Sequence, residues 1–387
     1  MPAFRSCRHL IGCLTLGLSG CVAVPVLAQQ QMRRPSFDQV LKREDKNSDG
    51  KISQQEFKGP ARLFERLDRD NDGAVTRDEF LAMRQNGQSP DRAGRSNGRQ
   101  GNNARGPQDV TVHRDVVYGT GGGRDLKLHI VVPNKESDQP RPVYVWIHGG
   151  GWQGGTKEGG VGKVVPLVRE GFVGATIEYR LTGEAPFPAQ IEDCKCAIRF
   201  LRAHAEKYNL DPKRIAVGGS SAGGHLVALL GTSGGNKDLE GDGGWLDQSS
   251  EVQAVVNFFG PTDFKRFVST EGYERHNLDG SPESKLLGGG EVLANPAGIK
   301  RVNPITYIDD EDPPFLIIHG TKDKTVPANQ SEALAEALSN AKVPHRLHLI
   351  AGAGHGGPEF GKPEINAMVK QFLLSNLKPN ETESDSQ

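Results

Sequence analysis

Two short stretches and two isolated side chains carry the groups that nucleophilic acyl transfer needs. Gly219-Ser220-Ser221-Ala222-Gly223 sets a hydroxyl between glycines in the spacing G-x-S-x-G. His148-Gly149-Gly150-Gly151 lies upstream of it, and Asp323 and His355 lie downstream. A serine hydroxyl is a poor nucleophile at neutral pH, so a base must take its proton. His355 is the candidate base, because Gly352-Ala353-Gly354-His355-Gly356-Gly357 is a loop of small residues that lets an imidazole reach across. Asp323 is the candidate acid that fixes the imidazole tautomer and stabilises the imidazolium. Asp263, in Gly260-Pro261-Thr262-Asp263, competes for that role, and Ser220 competes for the role of nucleophile. The oxyanion formed on attack needs donors. The backbone N–H of Ala222 supplies one, and Gly150 and Gly151 supply others, since glycine lets the backbone approach a substrate closely. Losing one such donor typically costs roughly 2.7–4 kcal/mol of transition-state stabilisation. His148 is expected to shape its loop, and His225 and His319 to serve packing.

A second chemistry is written nearer the N-terminus. Asp45-Lys46-Asn47-Ser48-Asp49-Gly50 runs on to Glu56, and Asp68-Arg69-Asp70-Asn71-Asp72-Gly73 runs on to Glu79. Both fit D-x-[DN]-x-[DN]-G-x5-E, in which oxygens at loop positions 1, 3 and 5 wrap a hard cation. Glycine at position 6 permits the turn. Position 7 gives a carbonyl (Lys51, Ala74), position 9 a hydroxyl (Ser53, Thr76), and position 12 a bidentate carboxylate (Glu56, Glu79). Two calcium sites are therefore expected. They resemble an EF-hand pair over residues 35–84, with Ile52 and Val75 as the apolar residues at position 8. The two loops start unusually close together. Gly59-Pro60 interrupts the connection, leaving one short helix with Phe57 and another with Leu63, Phe64 and Leu67. This spacing argues for a structural or adhesive role rather than a sensor that opens a groove.

The acyl-transfer residues need a scaffold, and from about Asp109 apolar strands alternate with amphipathic helices, as in an α/β sheet. Val110 to Tyr118 and Leu126 to Val132 read as a hairpin. Val143 to Ile147 is a buried strand ending at His148, and Phe172 to Tyr179 is another. Ile191 to Tyr208 reads as one helix, and Ile215-Ala216-Val217 leads into the serine turn. Val252 to Phe259, Phe315 to His319 and Arg346 to Ile350 are later strands. Ser331 to Ala341 and Glu364 to Leu377 are later helices. A strand running straight into a helix holds Ser221 exposed at the helix start. Cys194 and Cys196 lie two apart on the helix, on different faces, and so do not bridge each other.

At these residues the chain resembles the α/β-hydrolase fold, and within it the HGGG carboxylesterases of the hormone-sensitive-lipase-like and bacterial acetyl or feruloyl esterase branch. The resemblance covers residues 110–377. It also rests on Trp152, Tyr179-Arg180-Leu181, Phe187-Pro188-Ala189 and Pro313-Pro314-Phe315. It implies a mostly parallel sheet with helices on both faces. It further implies a triad of Ser221, Asp323 and His355, and an oxyanion hole built from the HGGG loop and Ala222. Ser220 departs from the pattern, since many relatives carry Asp there. The segment from Lys265 to Lys300 is expected to roof the site in part.

The rest of the chain bounds the reading. It has 387 residues and a formal net charge of −1, which gives no general reason to expect nucleic acid as a partner. Residues 1–28 read as an export signal: Arg5 and Arg8, then apolar Leu10 to Leu18, then Val26-Leu27-Ala28. Leu18-Ser19-Gly20-Cys21 also resembles a lipobox, which would leave a lipid anchor at Cys21. A periplasmic or secreted protein is expected, with no transmembrane span once the signal is removed. Residues 85–108 are Asn, Gly, Gln, Ser and Arg with few apolar side chains, and read as a flexible linker. Residues 109–378 form the catalytic domain and 379–387 a tail. The expectation is an exported serine carboxylesterase acting on small-molecule or polysaccharide esters, with calcium in the N-terminal module and no cofactor for hydrolysis. The alternatives are a peptidase or amidase on the same triad, or a calcium-dependent envelope-binding protein with a silent hydrolase fold.

Overall fold

The computed structural model describes residues 37–47, 49–59, 64, 67, 73–76 and 109–377. The expected signal 1–28 with Cys21, the linker 85–108 and the tail 379–387 lie outside the described residues. So do Asp68, Asp70, Asp72 and Glu79 of the second calcium loop. The chain divides into two compact units, Met1–Gln100 and Gly101–Gln387.

In the first unit, helix α1 (Phe37–Glu44) leads into the first acidic loop. Strand β1 (Ile52–Ser53) pairs antiparallel with β2 (Ala74–Val75), and Ile52 faces Val75 in register. The two position-8 residues thus tie the loops together. Both are buried with Val40, Phe64 and Leu67 in a small core, against which Leu41 and Phe57 pack. The expected helix around Phe57 is absent. The N–H groups of Glu56 and Phe57 both reach the Ser53 carbonyl, making one turn that does not continue. Gly59-Pro60 follows directly, and the residue before a proline is disfavoured in a helix.

The second unit is an eight-stranded sheet with helices on both faces. Its elements in chain order are β3 (Val110–Gly121), β4 (Arg124–Pro133), β5 (Arg141–Ile147), α2 (Val161–Val168), β6 (Val173–Ile177), α3 (Ala189–Ala203), β7 (Leu210–Ser220), α4 (Ala222–Thr232), β8 (Ala254–Phe258), α5 (Phe264–Val268), α6 (Pro282–Leu286), α7 (Pro296–Val302), β9 (Phe315–Gly320), α8 (Asn329–Asn340), β10 (His345–Ile350) and α9 (Pro363–Asn376). The spatial order is β10-β9-β8-β7-β5-β6-β4-β3, and only β4 runs against its neighbours. Alternation along the strands sorts the core into two layers. Val143, Val145 and Ile147 face α3, α4 and α8, whereas Tyr144 and Trp146 face α2 and α9. The helix read as running from Ile191 to Tyr208 breaks after Ala203. A short 3-10 turn (Glu206–Tyr208) follows, and Asn209, with φ of 49°, ends it in the left-handed region. Cys194 and Cys196 are free and buried in the α3 layer.

The chain reverses its direction of travel across the sheet between β5 and β7. From β5 it steps to β6 on one side, then returns over β5 to β7 and continues to β10 on the other. In an open α/β sheet, a crevice forms outside the carboxyl ends of the strands at such a switch point. His148-Gly149-Gly150-Gly151 leaves β5 there, and Ser221 leaves β7 beside it.

Candidate active site

Ser221 sits between β7 and α4 with φ of 55° and ψ of −121°, a conformation that side-chain-bearing residues rarely adopt. Bonds on both sides hold it. Its N–H donates to the Phe258 carbonyl (2.9 Å), and its carbonyl accepts from His225 N–H (3.0 Å). A Cβ on Gly219 would collide with the Gly223 carbonyl, and one on Gly223 with the Ile147 carbonyl. The two glycines of the motif are therefore a packing requirement of the turn.

The fold brings the three separated side chains together. His355 Nε2 lies 2.9 Å from Ser221 Oγ, and His355 Nδ1 lies 2.6 Å from Asp323 Oδ2. The other Asp323 oxygen, Oδ1, accepts from the N–H groups of Thr325 (2.7 Å) and Val326 (2.9 Å). His319 Nε2 stands 3.3 Å from Oδ2. Burial by itself would push the Asp323 carboxyl up in pKa. Hydrogen bonds from His319 and His355 outweigh that and hold it well below the usual carboxylate range. A carboxylate at this position requires the proton on His355 Nδ1. The Nε2 lone pair then faces the serine hydroxyl, which is the tautomer a general base needs. Asp263, the competing acid, instead caps α5 by accepting the N–H of Arg266 (3.0 Å). The bond from His355 goes to Ser221 and not to Ser220.

Of the HGGG loop, Gly149 packs directly against the serine turn, where a Cβ on it would lie 3.3 Å from the Ser221 Cβ. Ala222 opens α4, so its N–H has no intrahelical acceptor and sits at the positive end of the helix dipole. Gly150 and Gly151 have φ of 121° and 59°. The Gly150 carbonyl accepts from Gln153 and Gly154 (3.1 Å each), closing a turn too tight for a Cβ on Gly150. His148 shapes this loop as expected: its ring is stacked 4.4 Å from that of Tyr179, whose hydroxyl donates to the His148 carbonyl. The segment after β8 borders both halves of the site. Pro282 of α6 lies beside Gly151, the Tyr273 hydroxyl donates to the Asp323 carbonyl, and Arg275 donates to the Lys324 carbonyl (2.8 Å).

Sequence reasoning missed a buried relay behind the oxyanion loop. Trp152, also at positive φ (56°), donates from Nε1 to His225 Nδ1 (3.2 Å), and His225 Nε2–H donates to the Val302 carbonyl (2.7 Å). His225 follows the serine motif by two residues, so its position was readable but its partners were not. Its ring has no exposure, and burial pushes its pKa down to about 4, against the opposing effect of the Val302 carbonyl. The folded protein therefore resists protonation that the unfolded chain accepts below about pH 6.5. Stability from this group is complete above that pH and is lost as pH falls towards 4, by up to ~3 kcal/mol. His225→Gln keeps a donor and an acceptor without titrating, so its urea stability should fall less than that of wild type between pH 6.5 and 4. Equal slopes would contradict this account of the relay.

The first acidic loop has the shape of a hard-cation cradle. Asp45 Oδ2 accepts from Gly50 N–H, Asn47 Oδ1 from Asp49 N–H and Asp49 Oδ1 from Lys51 N–H. Glu56 reaches back across the loop and accepts from the N–H groups of Lys46 and Asn47, and from Ser53. The Ser53 hydroxyl, followed by these backbone donors, lowers the pKa of the Glu56 carboxyl to about 2. Asp45, Asn47, Asp49, Ser53 and Glu56 thus offer the all-oxygen set that suits calcium. Of the second loop's expected ligands, only Ala74 and Thr76 are among the described residues. A further cluster of Asp115, His129 and Glu158 places three ligand atoms close together. The Lys157 ammonium already bridges Asp115 (3.1 Å) and Glu158 (3.3 Å). His129 Nδ1 accepts the Asp115 N–H, so neutral His129 carries its proton on the nitrogen facing Glu158 and cannot ligate from it.

Comparisons with known proteins point to the same fold. The BD-FAE family model matches residues 128–338, the TAP-like protein model matches residues 297–385, and the EF-hand model matches 37–59 and 61–83. Esterase LipQ of Mycobacterium tuberculosis is 31% identical over 231 residues, covering 59% of this chain and 52% of LipQ. Esterase LipC of the same organism is 32% identical, covering 63% of this chain and 60% of LipC. The chain thus spans between half and three-fifths of the length of these relatives. Among solved structures, a truncated carbohydrate esterase from gut microbiota is 32% identical with a TM-score of 0.63, covering 70% of this chain and 98% of that one. A bifunctional GH43-CE protein of Bacteroides eggerthii is 36% identical with a TM-score of 0.61, covering 69% and 35%.

Proposed function

Since the chain belongs to the BD-FAE family, we propose that it is a serine carboxylesterase in which Ser221 attacks an ester carbonyl. His355 takes the hydroxyl proton as the Oγ–carbon bond forms. Asp323 steadies the imidazolium, and the N–H groups of Ala222, Gly150 and Gly151 receive the oxyanion. The imidazolium then gives its proton to the leaving alcohol, leaving an acyl-enzyme. Water, deprotonated by His355, releases the acid and restores the serine. The observation that carries this reading is the unbroken line of hydrogen bonds from Asp323 through His355 to Ser221.

The carbohydrate esterase among the structural relatives supports a carbohydrate ester as the substrate, such as an acetyl or feruloyl group on a polysaccharide. The export reading of residues 1–28 is in keeping with a polymer outside the cell. The test is hydrolysis by the purified protein of acetylated xylan, acetylated pectin, feruloyl esters and short p-nitrophenyl esters. Release of acid from none of them, by folded protein, would contradict the esterase reading.

Calcium binding by the N-terminal module completes the proposal, with one ion per loop. The long polar linker between the modules predicts independence. Asp45→Ala combined with Asp68→Ala should abolish calcium binding in calorimetry and leave esterase kcat within about twofold, given that the substitutions lie in the other unit and touch none of the reacting groups named above. Parallel loss of both would show the modules to be coupled.

A further inference from the structure

A cavity lies beside the catalytic residues, and none of them lines it. It has a volume of about 580 Å³ and lies between α2 and α9, against the carboxyl ends of β5, β7 and β8. That size is in the range of small-molecule sites. Ser221, Asp323, His355, Gly150, Gly151 and Ala222 do not line it.

Its walls are aromatic. Trp146 and Phe258 have ring centroids 5.8 Å apart, and Phe360 stands 6.4 Å from Phe258 and 4.8 Å from Phe259. Its floor is Tyr144, which is only 2% exposed. The Tyr144 hydroxyl makes no hydrogen bond to a described residue and is not among the fully enclosed unsatisfied polar atoms, so it is open to a partner from the cavity side. The hydroxyl end of Tyr144 fills the room left by the missing side chain of Gly218, since a Cβ there would collide with it. The mouth is cationic. Lys163 stands 5.7 Å from the Trp146 ring and pairs with no carboxylate among the described residues, while Glu170 is taken by Lys370 (2.7 Å).

We propose that this cavity binds a small aromatic carboxylic acid carrying a ring hydroxyl. The ring stacks among Trp146, Phe258 and Phe360, the ring hydroxyl meets Tyr144 at the floor, and the carboxylate lies at the mouth near Lys163. Such aromatic contacts favour a planar ring over an aliphatic chain. The cavity adjoins the base through neighbouring residues. Phe259 contacts Phe360 on one side and lies 4.6 Å from the His355 ring on the other, and Gly356 and Gly357, next after His355, line the cavity.

The test is titration calorimetry of 4-hydroxybenzoate and benzoate with the full chain, before and after Ser221 is phosphonylated. Both acids should bind, and binding should survive phosphonylation. Tyr144→Phe should weaken 4-hydroxybenzoate about fivefold and leave benzoate within twofold. Its stability should stay close to wild type, because the hydroxyl makes no hydrogen bond to another described residue. Ala367→Trp, at the exposed rim on α9, should block both acids. Loss of binding on phosphonylation would place the acid in the reaction chamber and overturn the proposal. So would the absence of binding at millimolar concentration, or binding indifferent to both variants. If Ser221 fails to label, the esterase reading falls while the two variants still decide the cavity.

Discussion

A His355→Ala enzyme is expected to hydrolyse short p-nitrophenyl esters with kcat reduced roughly ten-thousandfold or more and KM little changed. The size follows from the geometry. His355 Nε2 is the group bonded to Ser221 Oγ, so its removal leaves the hydroxyl with no acceptor for its proton at neutral pH. The oxyanion donors are backbone groups on other loops and survive the substitution, so residual catalysis over water should persist. The change is also mild for the fold, because the imidazole stands at a half-open rim with 22% of its side chain exposed. A kcat within tenfold of wild type, measured on folded protein, would contradict the assignment of the base.

Asp323→Asn should cost about as much, roughly ten-thousandfold in kcat, for a different reason. Asp323 Oδ1 accepts two backbone N–H groups, from Thr325 and Val326. The amide oxygen of an asparagine must take that side, which forces its NH2 towards His355. An NH2 donor there turns His355 Nδ1 into an acceptor and moves the ring proton to Nε2. The imidazole then presents an N–H to the serine and cannot take a proton. The same NH2 would also oppose the His319 Nε2–H donor, whereas the flipped amide would oppose the Thr325 and Val326 N–H groups, so neither orientation satisfies every partner. Wild-type geometry with lost activity is the expected outcome. An Asp323→Asn protein with near-normal kcat would mean that Asp263 or another acid serves His355.

These two residues also mark what was legible in the sequence. Strand ends and the motifs on them were readable because each rests on local pattern. Val143 to Ile147 is uniformly apolar, and Gly219 to Gly223 has the spacing the turn demands. Asp323 was found because acid and base follow the serine in chain order, each past a strand. What failed was where local signals compete. The sequence around Phe57 favours a helix that Gly59-Pro60 does not allow to form. Ile191 to Tyr208 reads as continuous because its apolar periodicity passes through His204, while Asn209 shows where the backbone turns. The Trp152–His225–Val302 relay joins three segments distant in sequence, and no local pattern records a contact of that kind. The unpaired Tyr144 hydroxyl is hidden for a similar reason. Its surroundings depend on a missing side chain at Gly218, one strand away.

The most direct test of the central claim is reaction of the full chain with a fluorophosphonate, followed by intact mass and peptide mapping. The account predicts one phosphonyl adduct, on Ser221, absent in Ser221→Ala and greatly slowed in His355→Ala. No adduct on folded wild-type protein, or an adduct on Ser220 that survives Ser221→Ala, would contradict it.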